Sequence, residues 1–263
     1  MATQPPPPNL PIFYKNLQPL SSSLHAKYRT RPTDRAPYFA HANAIPLTID
    51  EFIAAQRHFP IVFSTGEVPV PLALMGLNEG VNVFVNEEGV PHHPFYVPAY
   101  VRRYPYLLAK LDPNAEELSV CFDPESGLVG EDGDGPALFD GDKPSEALGA
   151  ILKFCEDFEI AAQRTNAFVK ELQEMDLLID GEVSIQPEGA AQPFMYRGFR
   201  MVDEQKMRDM PADQIAKLNQ NGILALITAH LFSLSSIRDL FARQAAQGKV
   251  PEPIAGLAPE GTA

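Results

Sequence analysis

Pro60-Ile61-Val62-Phe63-Ser64-Thr65, Leu72-Ala73-Leu74-Met75-Gly76-Leu77 and Val81-Asn82-Val83-Phe84-Val85-Asn86 are three short runs rich in Val, Ile, Leu and Phe. Gly66, Pro69, Pro71, Asn78, Gly80 and Gly89 separate them. β-Branched and aromatic runs of this length, cut by residues that turn the chain, specify consecutive short antiparallel strands. Residues 106–111 and 118–122 are expected to extend the same sheet.

Outward from these runs the periodicity changes. Between 144 and 175 apolar residues fall at Leu148, Ile151, Leu152, Cys155, Phe158, Ala162, Phe168, Leu172 and Met175. Steps of three and four place them on one stripe of a long helix. Asp142 is positioned to cap it, and Glu146 sits in the first turn, where the helix dipole favours negative charge. Two further strands, 177–185 and 194–202, flank a Pro187-Glu188-Gly189 turn. A short helix begins at Asp203, another covers 211–220, and a buried helix runs from 222 to about 244. Upstream, 48–57 reads as a short helix opened by Thr48 with Glu51 three residues later, a capping-box spacing.

Strands, a helix, a hairpin and then helices predict an α+β protein: a mostly antiparallel sheet of short strands packed against a long central helix and C-terminal helices, in a single domain. Residues 1–46 form a proline-rich N-terminal arm, too rich in proline for helix. Its apolar residues, among them Phe13, Tyr14, Tyr38 and Phe39, predict an ordered chain laid over the core after a disordered first ten residues. The α+β domain spans 47–245, and 246–263 reads as a disordered tail.

With 45% hydrophobic and 9% aromatic residues the chain can bury a full core, which excludes wholesale disorder. Two cysteines, Cys121 and Cys155, are too few for a disulfide framework and sit in apolar runs, as buried free thiols do. The N-terminus lacks a basic and then apolar export signal. The longest apolar run, 223–234, covers 12 residues, short of the roughly 20 a membrane span needs. A cytoplasmic protein without membrane insertion is expected. The net charge of −13 argues against nucleic acid. That charge is local: eleven acids and one base between 112 and 148 supply −10 of it.

No P-loop, dinucleotide fingerprint or nucleophile elbow is present, so no cofactor is implied. No histidine pair has the i, i+4 zinc spacing, and His41, His58, His92 and His93 read as scattered surface residues. The acidic segment 123–143 supplies oxygens and glycines without an EF-hand pattern, and reads as a solvated flexible loop. The densest unusual chemistry is Phe95-Tyr96-Val97-Pro98-Ala99-Tyr100-Val101-Arg102-Arg103-Tyr104-Pro105-Tyr106. Arginine forks grip carboxylate or phosphate and stack on aromatic rings, so Tyr96, Tyr100, Arg102, Arg103 and Tyr104 suit either an anion site or a structural corner. His230, inside the buried C-terminal helix, reads as a core histidine or a general base. His230 and Asp203 join the arginine–tyrosine residues as candidate ligand-binding residues, with His230, Asp203 or Glu204 as acid or base in an enzyme.

Several of these stretches resemble the SapC family of bacterial proteins. They are Leu72-Ala73-Leu74-Met75-Gly76-Leu77, Asn82-Val83-Phe84-Val85, Tyr96 through Pro105, Leu138-Phe139-Asp140, Gly198-Phe199-Arg200-Met201-Val202-Asp203-Glu204 and Ala229-His230-Leu231-Phe232-Ser233-Leu234. The resemblance implies an association with bacterial surface-array proteins or outer-membrane nutrient uptake, and carries no established catalytic residues. It is distinct from the peptide-transporter permease that shares the name. Two functions follow as expectations. One is a cytosolic accessory protein binding a protein partner or small anionic ligand through the arginine–tyrosine segment. The other is an enzyme acting on a small anionic metabolite or sugar, with Arg102 and Arg103 as the anion clamp and His230, Asp203 or Glu204 as acid or base. Oligomeric state is not legible.

Overall fold

The computed structural model describes residues 10–111, 118–186 and 193–249. Most of the predicted tail, the start of the arm and the turn at 187–189 lie outside the described residues. The arm does more than overlay the core. It supplies β1 (Gln18–Pro19), a one-turn helix α1 (Ser22–His25), β2 (Arg29–Thr30) and β3 (Ala44–Pro46). The helical turn corrects the expectation of an entirely extended arm: the prolines leave 22–25 free, and His25 buries against Tyr28 and Phe122.

Thr48 and Glu51 close the expected capping box ahead of α2 (Phe52–Ala55). Strands β4 (Ile61–Phe63) and β5 (Pro71–Leu74) then pair with each other, and β5 pairs with β3. The third run, 81–86, forms no strand, contrary to expectation. Asn82 turns inward instead, its amide reaching Phe39 O and its oxygen taking the Phe84 N–H, so Val83, Phe84 and Val85 all bury in the core. Composition alone could not separate this buried loop from a ladder strand.

After one helical turn, α3 (Ala99–Arg102), come β6 (Tyr106–Ala109) and β7 (Ser119–Phe122). β7 pairs with β6 on one side and β1 on the other in a second sheet, correcting the expectation that β6 and β7 extend the first. Short pairs follow: β8 (Val129–Gly130) with β2, and β9 (Phe139–Asp140) with β10 (Lys143–Pro144). Helix α4 (Glu146–Glu174) is 29 residues long, on the order of 40 Å at 1.5 Å per residue. Ser145, not Asp142, caps it, accepting the Leu148 N–H. Leu148 and Cys155 face the core beneath the second sheet, while Phe168, Val169 and Leu172 face the main core. One helix thus ties both cores into one domain. Cys121 and Cys155 are buried and free.

The hairpin β11 (Leu178–Ile185) and β12 (Phe194–Val202) completes a five-stranded antiparallel sheet in the order β11-β12-β4-β5-β3. Helices α5 (Glu204–Arg208), α6 (Ala212–Gln220), α7 (Ile223–Ser233) and α8 (Ile237–Ala246) follow. A 3-10 turn at Leu234–Ser236 splits the predicted single C-terminal helix. The apolar stretch is also longer than the 12-residue count: Ile223–Ala246, 24 residues, is long and apolar enough to cross a membrane by length and composition. In the fold it spends Ile227, Ile237 and Leu240 on the core. The architecture is α+β, as the sequence predicts.

Candidate functional site

The arginine–tyrosine segment is held at both ends by buried carboxylates. Glu51 accepts Thr48 N–H and Thr48 O–H at 2.9 Å each, Tyr96 O–H at 3.0 Å and Ala99 N–H at 2.6 Å. Asp123 accepts Lys15 N–H at 2.8 Å, Glu125 N–H at 2.9 Å and Tyr104 O–H at 3.3 Å. Neither carboxylate has a cationic partner among the described residues, so hydrogen bonds alone compensate their burial. The tyrosines are held protonated. Burial raises the Tyr96 and Tyr104 pKa values, and the neighbouring carboxylates, Glu51 and Asp123, add to the rise. Burial likewise raises Tyr100.

The two adjacent arginines have opposite fates. Arg103 is buried, its guanidinium 4.5 Å from the Tyr100 ring centroid and 4.2 Å from that of Phe158, with Glu159 3.4 Å away. It is a structural clamp between α3 and α4. Arg102 points outward. Its Nε donates to Val97 O at 3.0 Å, and its guanidinium rests 5.1 Å from the Phe154 centroid. It has no carboxylate partner among the described residues. Arg102 also donates to Tyr96 Oη at 3.4 Å, which leaves part of its guanidinium fork open to a carboxylate or phosphate.

Arg102 opens onto a cleft of about 370 Å³. The arm forms one wall with Arg31, Asp34, Arg35 and Tyr38, and Phe95, Tyr104 and Tyr106 are among the residues that line the rest. Tyr38 and Tyr104 lie ring to ring, their centroids 4.2 Å apart, and Tyr38 donates to Val101 O. Burial pushes the Tyr38 pKa up to about 12. Two of the three arginines are already engaged: Arg31 with Asp132, and Arg35 with Glu88 at 3.1 Å. The cleft therefore offers an apolar, tyrosine-rich wall and, among the described residues, one arginine without a carboxylate partner, Arg102.

His230 and Asp203 do not line this cleft. His230 is fully buried, Nδ1 at 2.8 Å from Ile61 O and Nε2 accepting Val202 N–H at 3.1 Å. Burial lowers its pKa to about 4, partly offset by the Ile61 bond. Asp203 caps α5, accepting Lys206 N–H at 3.0 Å, and Glu204 pairs with Arg208. The acid–base set considered from the sequence does not assemble around Arg102.

Two surface expectations change. The acidic segment is not a free loop: Arg29 donates to Gly135 O and Arg31 to Gly127 O, both at 2.9 Å, and β2 pairs with β8. No group of three His, Cys, Asp or Glu able to hold a metal occurs among the described residues. The histidines are not all scattered either: His58, His92 and His93 line one groove. Sequence reasoning missed Asp123 and the arm residues of the cleft: apart from the local Glu125 N–H, the Asp123 partners Tyr104 and Lys15 lie 19 and 108 residues away and leave no local pattern.

The SapC family model matches residues 20–240, most of the chain. The chain belongs to the SapC family. No curated protein and no solved structure matches it.

Proposed function

Proceeding from membership of the SapC family, we propose that this chain is an accessory binding protein, working inside the cell for a bacterial cell-surface or outer-membrane uptake system. It binds a carboxylate or phosphate group, on a small molecule or on a partner protein, in the cleft beside Arg102. The observation that carries this reading is the contrast between the arginines: Arg103 is consumed by Glu159, Tyr100 and Phe158, whereas Arg102, exposed and oriented by Val97 O and Tyr96 Oη, has no carboxylate partner among the described residues. The tyrosine wall supplies apolar surface for the body of the ligand. The enzyme reading loses support because His230 and Asp203 are committed to backbone groups elsewhere.

The test is native mass spectrometry of the protein after incubation with bacterial extract, wild type against Arg102→Ala. Retention of an anionic species by wild type and its loss in the variant supports the proposal. Equal retention by both removes Arg102 from it.

A further inference from the structure

We propose that a second site, which shares Phe95 with the Arg102 cleft, binds an organic phosphate with a planar body. It is a groove of about 630 Å³. Arg57, His58, His92, His93 and Arg243 line it, together with Phe84 and Phe95. In a chain of net charge −13, no acidic residue is among its lining residues. Arg57 and Arg243 form no ion pair among the described residues.

The groove is built from three distant parts of the chain. Arg57 and His58 follow α2, His92 and His93 precede the arginine–tyrosine segment, and Arg243 stands on α8. Its floor is aromatic: Phe84 and Phe95 have centroids 5.4 Å apart, and buried Phe59 packs on Phe84 at 4.9 Å. The Arg243 guanidinium lies 5.3 Å from the Phe84 centroid, so its position is set by the ring beneath it. Gln247 donates to Val83 O at 3.0 Å and ties α8 to the same floor.

Two permanent cations and three imidazoles around a ring floor match a group that is doubly charged, accepts several hydrogen bonds and carries a flat apolar body. A phosphate monoester meets all three conditions, with its oxygens toward the arginines and its body against the half-buried Phe95, Phe84 lying buried beneath Arg243. This site is independent of Arg102, which lines only the other cleft. Phe95 alone of the aromatic residues lines both.

Phenyl phosphate is the probe, titrated into the full chain by calorimetry and by the histidine ring signals in NMR. Saturable binding is expected, at least about tenfold tighter than inorganic phosphate because the ring adds apolar contact. Arg57→Ala/Arg243→Ala should weaken it at least about tenfold, and Arg102→Ala should leave it unchanged. Arg57 and Arg243 are exposed, so the double variant is expected to fold, and its thermal transition checks that. Absence of saturation, an unchanged affinity in the folded double variant, or loss with Arg102→Ala would each overturn the assignment. Failure of the Arg102 cleft to hold an extract-derived anion leaves these outcomes untouched, so the two sites are tested separately.

Discussion

Nδ1 of His230 stands 2.8 Å from the carbonyl oxygen of Ile61, and Ser233, three residues along the same helix, accepts the Ile61 N–H at 2.8 Å. Both backbone groups of one strand residue are thus satisfied by side chains of α7. The need arises because β12 registers with β4 only at Arg200–Phe63. Where those strands part, Val202 N–H turns to Nε2 of the same imidazole. A carbonyl can only accept and an amide can only donate, so His230 is the neutral tautomer carrying its proton on Nδ1. Protonating Nε2 would set two donors against each other in the core.

A pH dependence follows. The folded-state pKa of about 4 lies below the ordinary histidine value, so between them the unfolded chain binds the extra proton. The stability contribution is complete above about pH 6.5 and is lost as pH falls toward 4, a total on the order of 3 kcal/mol. Urea unfolding at pH 7 and pH 5 should show a loss of about 2 kcal/mol attributable to this group. His58, also lowered by burial and by Arg57 and Arg243, acts with the same sign. His230→Gln should be less stable at pH 7 and lose most of the slope. A slope unchanged by that substitution contradicts the neutral bridge.

Adjacent arginines give opposite predictions. Arg103→Ala strands Glu159 in a partly buried setting and empties the space between Tyr100 and Phe158, so about 3 kcal/mol of stability should go. Arg102→Ala removes an exposed side chain and should cost below about 1 kcal/mol. Chemical denaturation of the two variants separates these roles, and equal losses would remove the distinction on which the binding proposal rests.

What the sequence made legible was set by the reach of each signal. The α4 stripe, the β11–β12 hairpin and the Thr48–Glu51 box are patterns within a few residues, and they formed where expected. The 81–86 run misled because its residue types fit a strand, while Asn82 serves the Phe84 amide within the same run. Arg102 and Arg103 were equivalent in sequence. Their difference depends on Glu159, 56 residues on, and on Glu51, 48 residues before the Ala99 it holds. The arm was read as a cover because prolines dominate it, yet Ile45 is a fully buried member of the central sheet.

Glu51 offers a test of how the cleft is positioned. Glu51→Ala leaves Ala99 N–H and Thr48 N–H without their acceptor in a buried setting, and should cost about 3 kcal/mol or more. Glu51→Gln retains one oxygen and should recover part of that. Because Tyr96, which Glu51 holds, accepts from Arg102 at 3.4 Å, the Gln variant should also weaken ligand retention by the cleft. A variant within about 0.5 kcal/mol of wild type would show that the four hydrogen bonds do not anchor the segment.

The contact between the 86–90 turn and the arm can be tested by adding one methyl group. Gly89 has φ +73°, and a Cβ there would lie 2.1 Å from the Ala36 carbonyl carbon. The obstacle is backbone, so no side-chain rotation relieves it. Gly80 is the control: its φ is +78°, with nothing within 4 Å of a Cβ. Gly80→Ala should cost only the left-handed conformation, about 1 kcal/mol. Gly89→Ala adds displacement of the arm and should cost at least about 2 kcal/mol. Gly89 and Ala36 both line the Arg102 cleft, so the same substitution should weaken anion retention there, while Gly80→Ala leaves it intact. Unfolding curves and native mass spectra of the pair measure both effects. Identical behaviour of the two variants would mean that the arm is not seated by this turn.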